Sequence, residues 1–147
     1  MKPSIFIDTD VVLDFLLNRK PFSTFASIIF TLSEQGKINA YISPLTINNY
    51  YYILRKLASH KKVINNLQKL LIITNITSIS KQDVVLALNS KFNDLEGALQ
   101  HFSAISHSNI DIILTKNIID YKNSEEPVMT PETYLKARLM DPSAERG

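Results

Sequence analysis

The chain has 147 residues, nearly half of them apolar, and a formal net charge of +2. That length and apolar content fit one domain around one core and exclude a disordered chain; so small a net charge announces no general nucleic-acid binder, and any basic surface must be local. Cysteine is absent, which excludes disulfides, thiolate metal sites and cysteine nucleophiles and fits an intracellular, cytoplasmic protein.

No apolar run approaches the ~20 residues needed to cross a bilayer, and the start MKPSIFID meets an acid too early for a signal peptide, so no membrane is expected. SIFID, residues 4 to 8, reads as a short buried strand ending on an acid. VVLDFLLN then takes helical spacing, and NRKP breaks it at Pro21. A second amphipathic helix is expected from about Pro21 to Gln35, with Gly36 as its cap. NAYIS is a second strand, and Ser43 with Pro44 opens a helix over PLTINNYYYILRKLASH. Another helix follows over about 61–71, and IITNITSI is strand-like. Ser80 with Asp83 three residues on marks a further helix start. DLEGALQHFSAIS is the next helix, IDIILT a buried strand, KNIIDYKNSEEP a polar loop, and Thr130-Pro131-Glu132 opens a last helix. The domain is expected to span 1–140, with a frayed tail over 141–147. Strands alternating with helices predict an α/β fold on a parallel sheet.

In open α/β sheets ligands bind beyond the carboxyl ends of the strands. Asp8 closes the first strand, Thr115 closes IDIILT, and Asp120 lies in the loop after it, so acids from opposite ends of the chain reach one edge. Carboxylates ~4 Å apart repel by on the order of 1–4 kcal/mol per pair at surface-like dielectric, and a crowd of them persists when cations neutralise it. All-oxygen ligands select Mg²⁺ or Mn²⁺ over zinc, and the natural chemistry of Mg²⁺ is activation of water for in-line attack on a phosphodiester. The plainer reading is that Asp8 and Asp10 cap the following helix, whose dipole favours negative charge there.

The stretches FIDTDVVLDFLL, YISPLTINNYYYILRKL, FNDLEGALQ and DIILTKNIIDY, closed by PVMTPETYL, follow in an order and spacing that spans nearly the whole chain. As a set they resemble the PIN-domain family, the fold of VapC-type toxin ribonucleases, and more narrowly the branch with asparagine where the second motif usually has glutamate. The resemblance implies a three-layer α/β/α fold and Mg²⁺- or Mn²⁺-dependent endoribonuclease activity, as in the toxin of a toxin–antitoxin pair. It implies RNA as substrate, with an antitoxin protein and a second copy of the chain as partners. Carried over by position, Asp8 is the first metal-binding acid, Asp10 stands where asparagine is usual, and Asp14, a turn later, is structural. Asn49 takes the second-motif glutamate position. The third-motif acid is replaced by Gly97; Asp94, one turn earlier, can substitute, whereas Glu96, roughly 200° from Asp94 on a helical wheel, is the weaker candidate. In the fourth motif Asn117 and Asp120 are the candidates, and Thr115 can orient water or metal. Asp8, Asp94 and Asp120 form the implied metal set, joined by Asn49 in the catalytic set.

RKLASHKK concentrates Arg55, Lys56, Lys61 and Lys62 beside the third helix, either as a contact for RNA phosphates or as a solvated helix end. Lys116 and Lys122 flank the fourth motif and can steer phosphate. One of Tyr50, Tyr51 and Tyr52 can stack on a base, although ordinary amphipathic packing explains them too. His60, His101 and His107 have no i, i+4 pairing, which speaks against zinc. Two rival readings stand beside the nuclease. One is a PIN-like RNA- or protein-binding module with a weakened site, favoured by Asn49 and Gly97. The other, more distant, is a haloacid-dehalogenase-type phosphatase with Asp8 as nucleophile and Asp10 as general acid, which lacks the paired acids such enzymes need downstream.

Overall fold

The computed structural model describes residues 2–107 and 109–141. Its helices are α1 (Thr9–Leu16), α2 (Phe22–Glu34), α3 (Pro44–Leu54), α4 (His60–Ile73), α5 (Lys81–Leu88), α6 (Leu95–His107) and α7 (Pro131–Met140). Its strands are β1 (Ser4–Ile7), β2 (Asn39–Ile42), β3 (Asn75–Ile76), β4 (Ile112–Leu114) and β5 (Val128–Met129). β1 pairs with β2 on one side and β4 on the other, Phe6 lying opposite Tyr41 and Ile113, and every pairing in the order β3-β2-β1-β4-β5 is parallel.

Alternation along the strands fills both faces of this sheet. Ile5, Ile7, Ile112 and Leu114 turn toward Val11 and Val12 of α1, Ala26, Ile29 and Phe30 of α2 and Leu70 of α4, with Tyr134 and Leu135 of α7 at the margin. Phe6 and Ile113 turn the other way, onto Ala104 of α6, Ile110 and Tyr121. Helices on both faces make the three-layer α/β/α arrangement. Buried aliphatics of this kind contribute about 1.5–3 kcal/mol each, so the sheet and its two helical layers hold each other in place. Among the described residues no helix is long and apolar enough to cross a membrane.

Local chemistry sets most helix ends. Ser59 accepts from the Lys62 backbone N–H at 3.2 Å, Ser80 and Asp83 form a reciprocal capping box, and Thr130 accepts from the Thr133 N–H at 3.1 Å. After α2, Gly36 adopts φ +73°, the left-handed conformation glycine takes at a helix end.

The chain departs from its sequence reading in three places. The helix expected over 44–60 stops early, at Leu54, and the separate helix expected over about 61–71 starts at His60, where Ser59 caps it. The strand expected over 72–79 shrinks to Asn75–Ile76, because α4 runs on through Ile73 to keep Leu70 in the core. The polar loop contains a 3₁₀ turn, Ile118–Tyr121, and is followed by β5, a strand too short to show periodicity. The tail expected over 141–147 lies, from residue 142 on, outside the described residues.

Because all strands are parallel, their carboxyl ends share one edge. From β1 the chain builds outward to β2 and β3, then returns on the other side as β4 and β5. The crevice between the ends of β1 and β4 is therefore the topological switch point, where open α/β sheets bind ligands.

Candidate active site

Asp8 sits at that crevice. Its backbone N–H donates to the Leu114 carbonyl at 2.9 Å, extending the β1–β4 ladder by one residue, and its extended backbone makes it the N-cap of α1. The carboxylate Oδ1 accepts from the Thr9 N–H at 2.8 Å and the Tyr121 hydroxyl at 3.2 Å, and Oδ2 accepts from the Thr115 hydroxyl at 2.7 Å. Asp8 is only 7% exposed. Burial pushes its pKa above the ordinary carboxylate value; the Thr115 bond opposes the shift and the nearby Asp10 charge adds to it. None of the three donors is charged.

The segment after β4 closes around this aspartate. The Thr115 oxygen also accepts the Asn117 N–H at 3.0 Å, and Asn117 Nδ2 donates to Asp10 Oδ2 at 3.0 Å. Asp120, half-buried, gives its backbone N–H to the Asn117 carbonyl at 3.0 Å, while the side chain that reaches Asp8 from this turn is that of its neighbour Tyr121. The Tyr121 hydroxyl is held well above its ordinary pKa, by burial first and then by the charge and hydrogen bond of Asp8 and the charges of Glu96 and Asp94. It stays protonated and acts as a donor.

α6 supplies the remaining acids. Asp94 lies just before the helix, its Oδ2 accepting the Gly97 N–H at 3.0 Å and its carbonyl the Ala98 N–H at 3.0 Å, so it is the helix cap. Glu96 turns inward and accepts a hydrogen bond from Asn49 Nδ2 of α3. Burial raises its pKa, the Asn49 bond opposes, and Asp8, Asp94 and Asp10 repel it further. Glu96 thus belongs to the cluster although the helical wheel placed it opposite Asp94. The wheel fails because Asp94 precedes the first helical residue, so 100° per residue does not apply to it. A Cβ on Gly97 would stand 3.3 Å from Asp94 Oδ2, a tight approach, and 4.0 Å from Tyr121 Cζ, an ordinary contact.

Among the described residues, no three His, Asp or Glu side chains are close enough together to enclose a metal ion, the trio Asp8, Asp94 and Asp120 included. What converges instead is a field of carboxylates (Asp8, Glu96, Asp94, Asp10) with Asp8 and Glu96 displaced toward protonation. The donor set is all oxygen, which fits a hydrated hard cation rather than zinc.

Three residues around the site carried no motif signal: Gln100, Thr9 and Thr46. Gln100 of α6, buried, accepts at 3.2 Å from both the N–H and the hydroxyl of Thr9. The Thr9 hydroxyl also meets that of Thr46 at 2.9 Å, tying α1 to α3. A polar residue on the apolar stripe of α6 was the available hint for Gln100; nothing local distinguishes Thr9 or Thr46.

The basic candidates lie outside this cluster of contacts. Arg55 donates to the Ala58 carbonyl at 3.0 Å, and Arg55, Lys56, Lys61 and Lys62 are exposed. Lys116 is held by an ion pair with Asp14 at 3.0 Å, its ammonium 4.3 Å over the Phe22 ring. Tyr50 is buried and accepts from Asn66, Tyr51 bonds His60 at 2.8 Å, and Tyr52 is exposed. His101 is buried, its Nε2 accepting the Glu125 N–H at 3.3 Å, and burial pushes its pKa down. The His107 side chain lies outside the described residues.

A buried aspartate at the switch point, its hydrogen-bond donors neutral among the described residues, and acids converging from α1 and α6 make this carboxyl edge the candidate site of an α/β protein. The sequence profile of the PIN domain matches residues 4–119, and the chain belongs to the PIN-domain family. That assignment replaces the phosphatase reading. Solved structures share the fold, among them the following three. VapBC2 from Rickettsia felis bound to a DNA fragment from its promoter matches at 14% identity and TM-score 0.62, over 86% of this chain and 98% of that one. FitAB bound to an IR36 DNA fragment matches at 15% identity and TM-score 0.62, over 86% and 94%. A toxin–antitoxin complex from Klebsiella pneumoniae matches at 22% identity and TM-score 0.63, over 86% and 97%. No curated protein matches this chain.

Proposed function

We propose that this protein is a Mg²⁺- or Mn²⁺-dependent endoribonuclease of the PIN type, with residues 1–140 as one domain, acting in the cytoplasm as the toxin of a toxin–antitoxin pair. The observation that carries the reading is Asp8, buried at the switch point among further acids, with no cationic side chain bonded to it among the described residues. Family membership supports the reaction class, and the toxin–antitoxin complexes that share the fold support an antitoxin partner.

Asp8 and Glu96 would hold the ion, with Asp94 and Asp10 facing its waters. When bound, the ion supplies an activated water and neutralises charge developing on the phosphodiester. Thr115 and Tyr121 orient Asp8, Asn49 orients Glu96, and Asn117 orients Asp10. In this arrangement Glu96, bonded to Asn49, brings back the carboxylate that asparagine removed from the second motif. Asp120 acts through the turn that carries Tyr121. Arg55, Lys56, Lys61 and Lys62 would track RNA phosphates.

The second reading, an RNA- or protein-binding module with a weakened site, is favoured by Gly97 in place of an acid and by the lack of three enclosing ligands among the described residues. Incubating RNA with Mg²⁺, Mn²⁺ or chelator separates the two. The nuclease cuts with metal, not with chelator, and not as Asp8→Asn or Glu96→Gln. The weakened module binds RNA and leaves it intact with every metal.

A further inference from the structure

A carboxylate has roughly four lone-pair positions on its two oxygens. At Asp8 both positions on Oδ1 are filled, by the Thr9 N–H and the Tyr121 hydroxyl, and one on Oδ2 is filled by the Thr115 hydroxyl. Among the described residues a single position remains open, on Oδ2. The Thr9 and Thr115 donors come with the strand ends; the Tyr121 donor depends on the particular packing of this chain. Its ring is 3% exposed and meets Phe92 edge-on at 6.0 Å between centroids. It also lies 4.0 Å from the point where a side chain at Gly97 would begin. Packed there, the hydroxyl has Asp8 as its partner, and Oδ1 is closed to anything else.

We propose that Tyr121 is a positioning residue that confines Asp8 to metal coordination through Oδ2 alone, and so selects Mg²⁺ or Mn²⁺ over Ca²⁺. This rests on the metal reading above. Mg²⁺ keeps an octahedral shell of single carboxylate oxygens and waters, whereas Ca²⁺ takes six to eight oxygens and readily accepts both from one carboxylate. An aspartate with one oxygen locked cannot chelate with two. The selectivity is therefore set by a tyrosine that itself touches no ion.

Calorimetric titration of the full chain with Mn²⁺ and with Ca²⁺ tests this in the parent, in Tyr121→Phe and in Thr115→Val. Tyr121→Phe keeps the ring and frees Oδ1, so preference should move toward Ca²⁺ by about fivefold or more. Thr115→Val frees a second position on the oxygen already open, so the Ca²⁺/Mn²⁺ ratio should stay within about twofold whatever happens to affinity. Infrared difference spectra of the parent need no variant: Mn²⁺ should give the wide carboxylate stretching separation of one-oxygen binding. A two-oxygen signature in the parent, or an unchanged ratio in Tyr121→Phe, overturns the proposal while leaving the metal reading intact. A parent that binds neither ion overturns both.

Discussion

Asp8 and Asp14 stand at the two ends of α1, and both are almost fully buried, at 7% and 1% exposed. Asp14 receives Arg19 Nε and Lys116 Nζ, each at 3.0 Å, so its charge is met by two cations. Asp8 receives an N–H and two hydroxyls, and the charges that bear on it and its neighbour Glu96 are those of other acids. Burial of a carboxylate is costly in both places, but among the described residues only Asp14 has cations bonded to it. The lesson is that a buried acid is no functional signal in itself; a buried acid whose counter-charge is missing is one.

The largest effects should fall on opposite properties. Asp8→Asn should lower metal-dependent RNA cleavage by at least about a hundredfold, more than the loss of a supporting residue in a metal site usually costs. Asp14→Asn should instead lower stability, measured by urea unfolding, by about 2–3 kcal/mol. That is somewhat less than for a fully buried pair, because Arg19 is 44% exposed and can turn to water. Equal stability losses at the two positions would erase the distinction.

A pH series sharpens it. Asp8 and Glu96 are held above the ordinary carboxylate range, so between their unfolded and folded pKa values the folded state binds more protons. Stability from these groups is present below the unfolded pKa and is lost as pH rises through the raised folded values. In chelator, the melting temperature of Asp8→Asn relative to the parent should therefore climb as pH rises above the ordinary carboxylate pKa. A flat difference would mean that burial and the neighbouring acids do not disfavour the Asp8 charge.

The smallest effect is at Gly97. Alanine there gains up to about 1 kcal/mol of helix preference, offset by the few tenths of an ångström that the exposed Asp94 carboxylate must yield. The net should be a stabilisation below about 1 kcal/mol with Mn²⁺ affinity unchanged. Gly97→Asp should do the reverse, lowering stability in chelator and enlarging the stabilisation by Mn²⁺.

What could be read from the sequence follows the range of the forces involved. Capping pairs such as Ser80–Asp83 and Thr130–Pro131, and apolar runs such as Ile5–Ile7, are local and gave the strand–helix alternation directly. The boundary between α4 and β3 was not legible, because Leu70 to Ile73 is apolar enough for either state and tertiary packing of Leu70 decides it. β5 exists through its partner β4, a pairing with no local trace. The site was legible as a set of acids but not in its geometry. Glu96 was misplaced by treating a capping residue as helical, and Tyr121 was overlooked beside the charged Asp120 because its reach to Asp8 is a matter of tertiary packing.

The central claim is that Asp8 carries a negative charge which the fold leaves for a cation to meet. The most direct test is the thermal melt of the parent, Asp8→Asn and Asp14→Asn with and without millimolar Mn²⁺, since an ion that binds only the folded state raises its stability by mass action. The account predicts an upward shift in the parent and in Asp14→Asn, and none in Asp8→Asn. Equal shifts in all three proteins, or no shift in the parent, would contradict it.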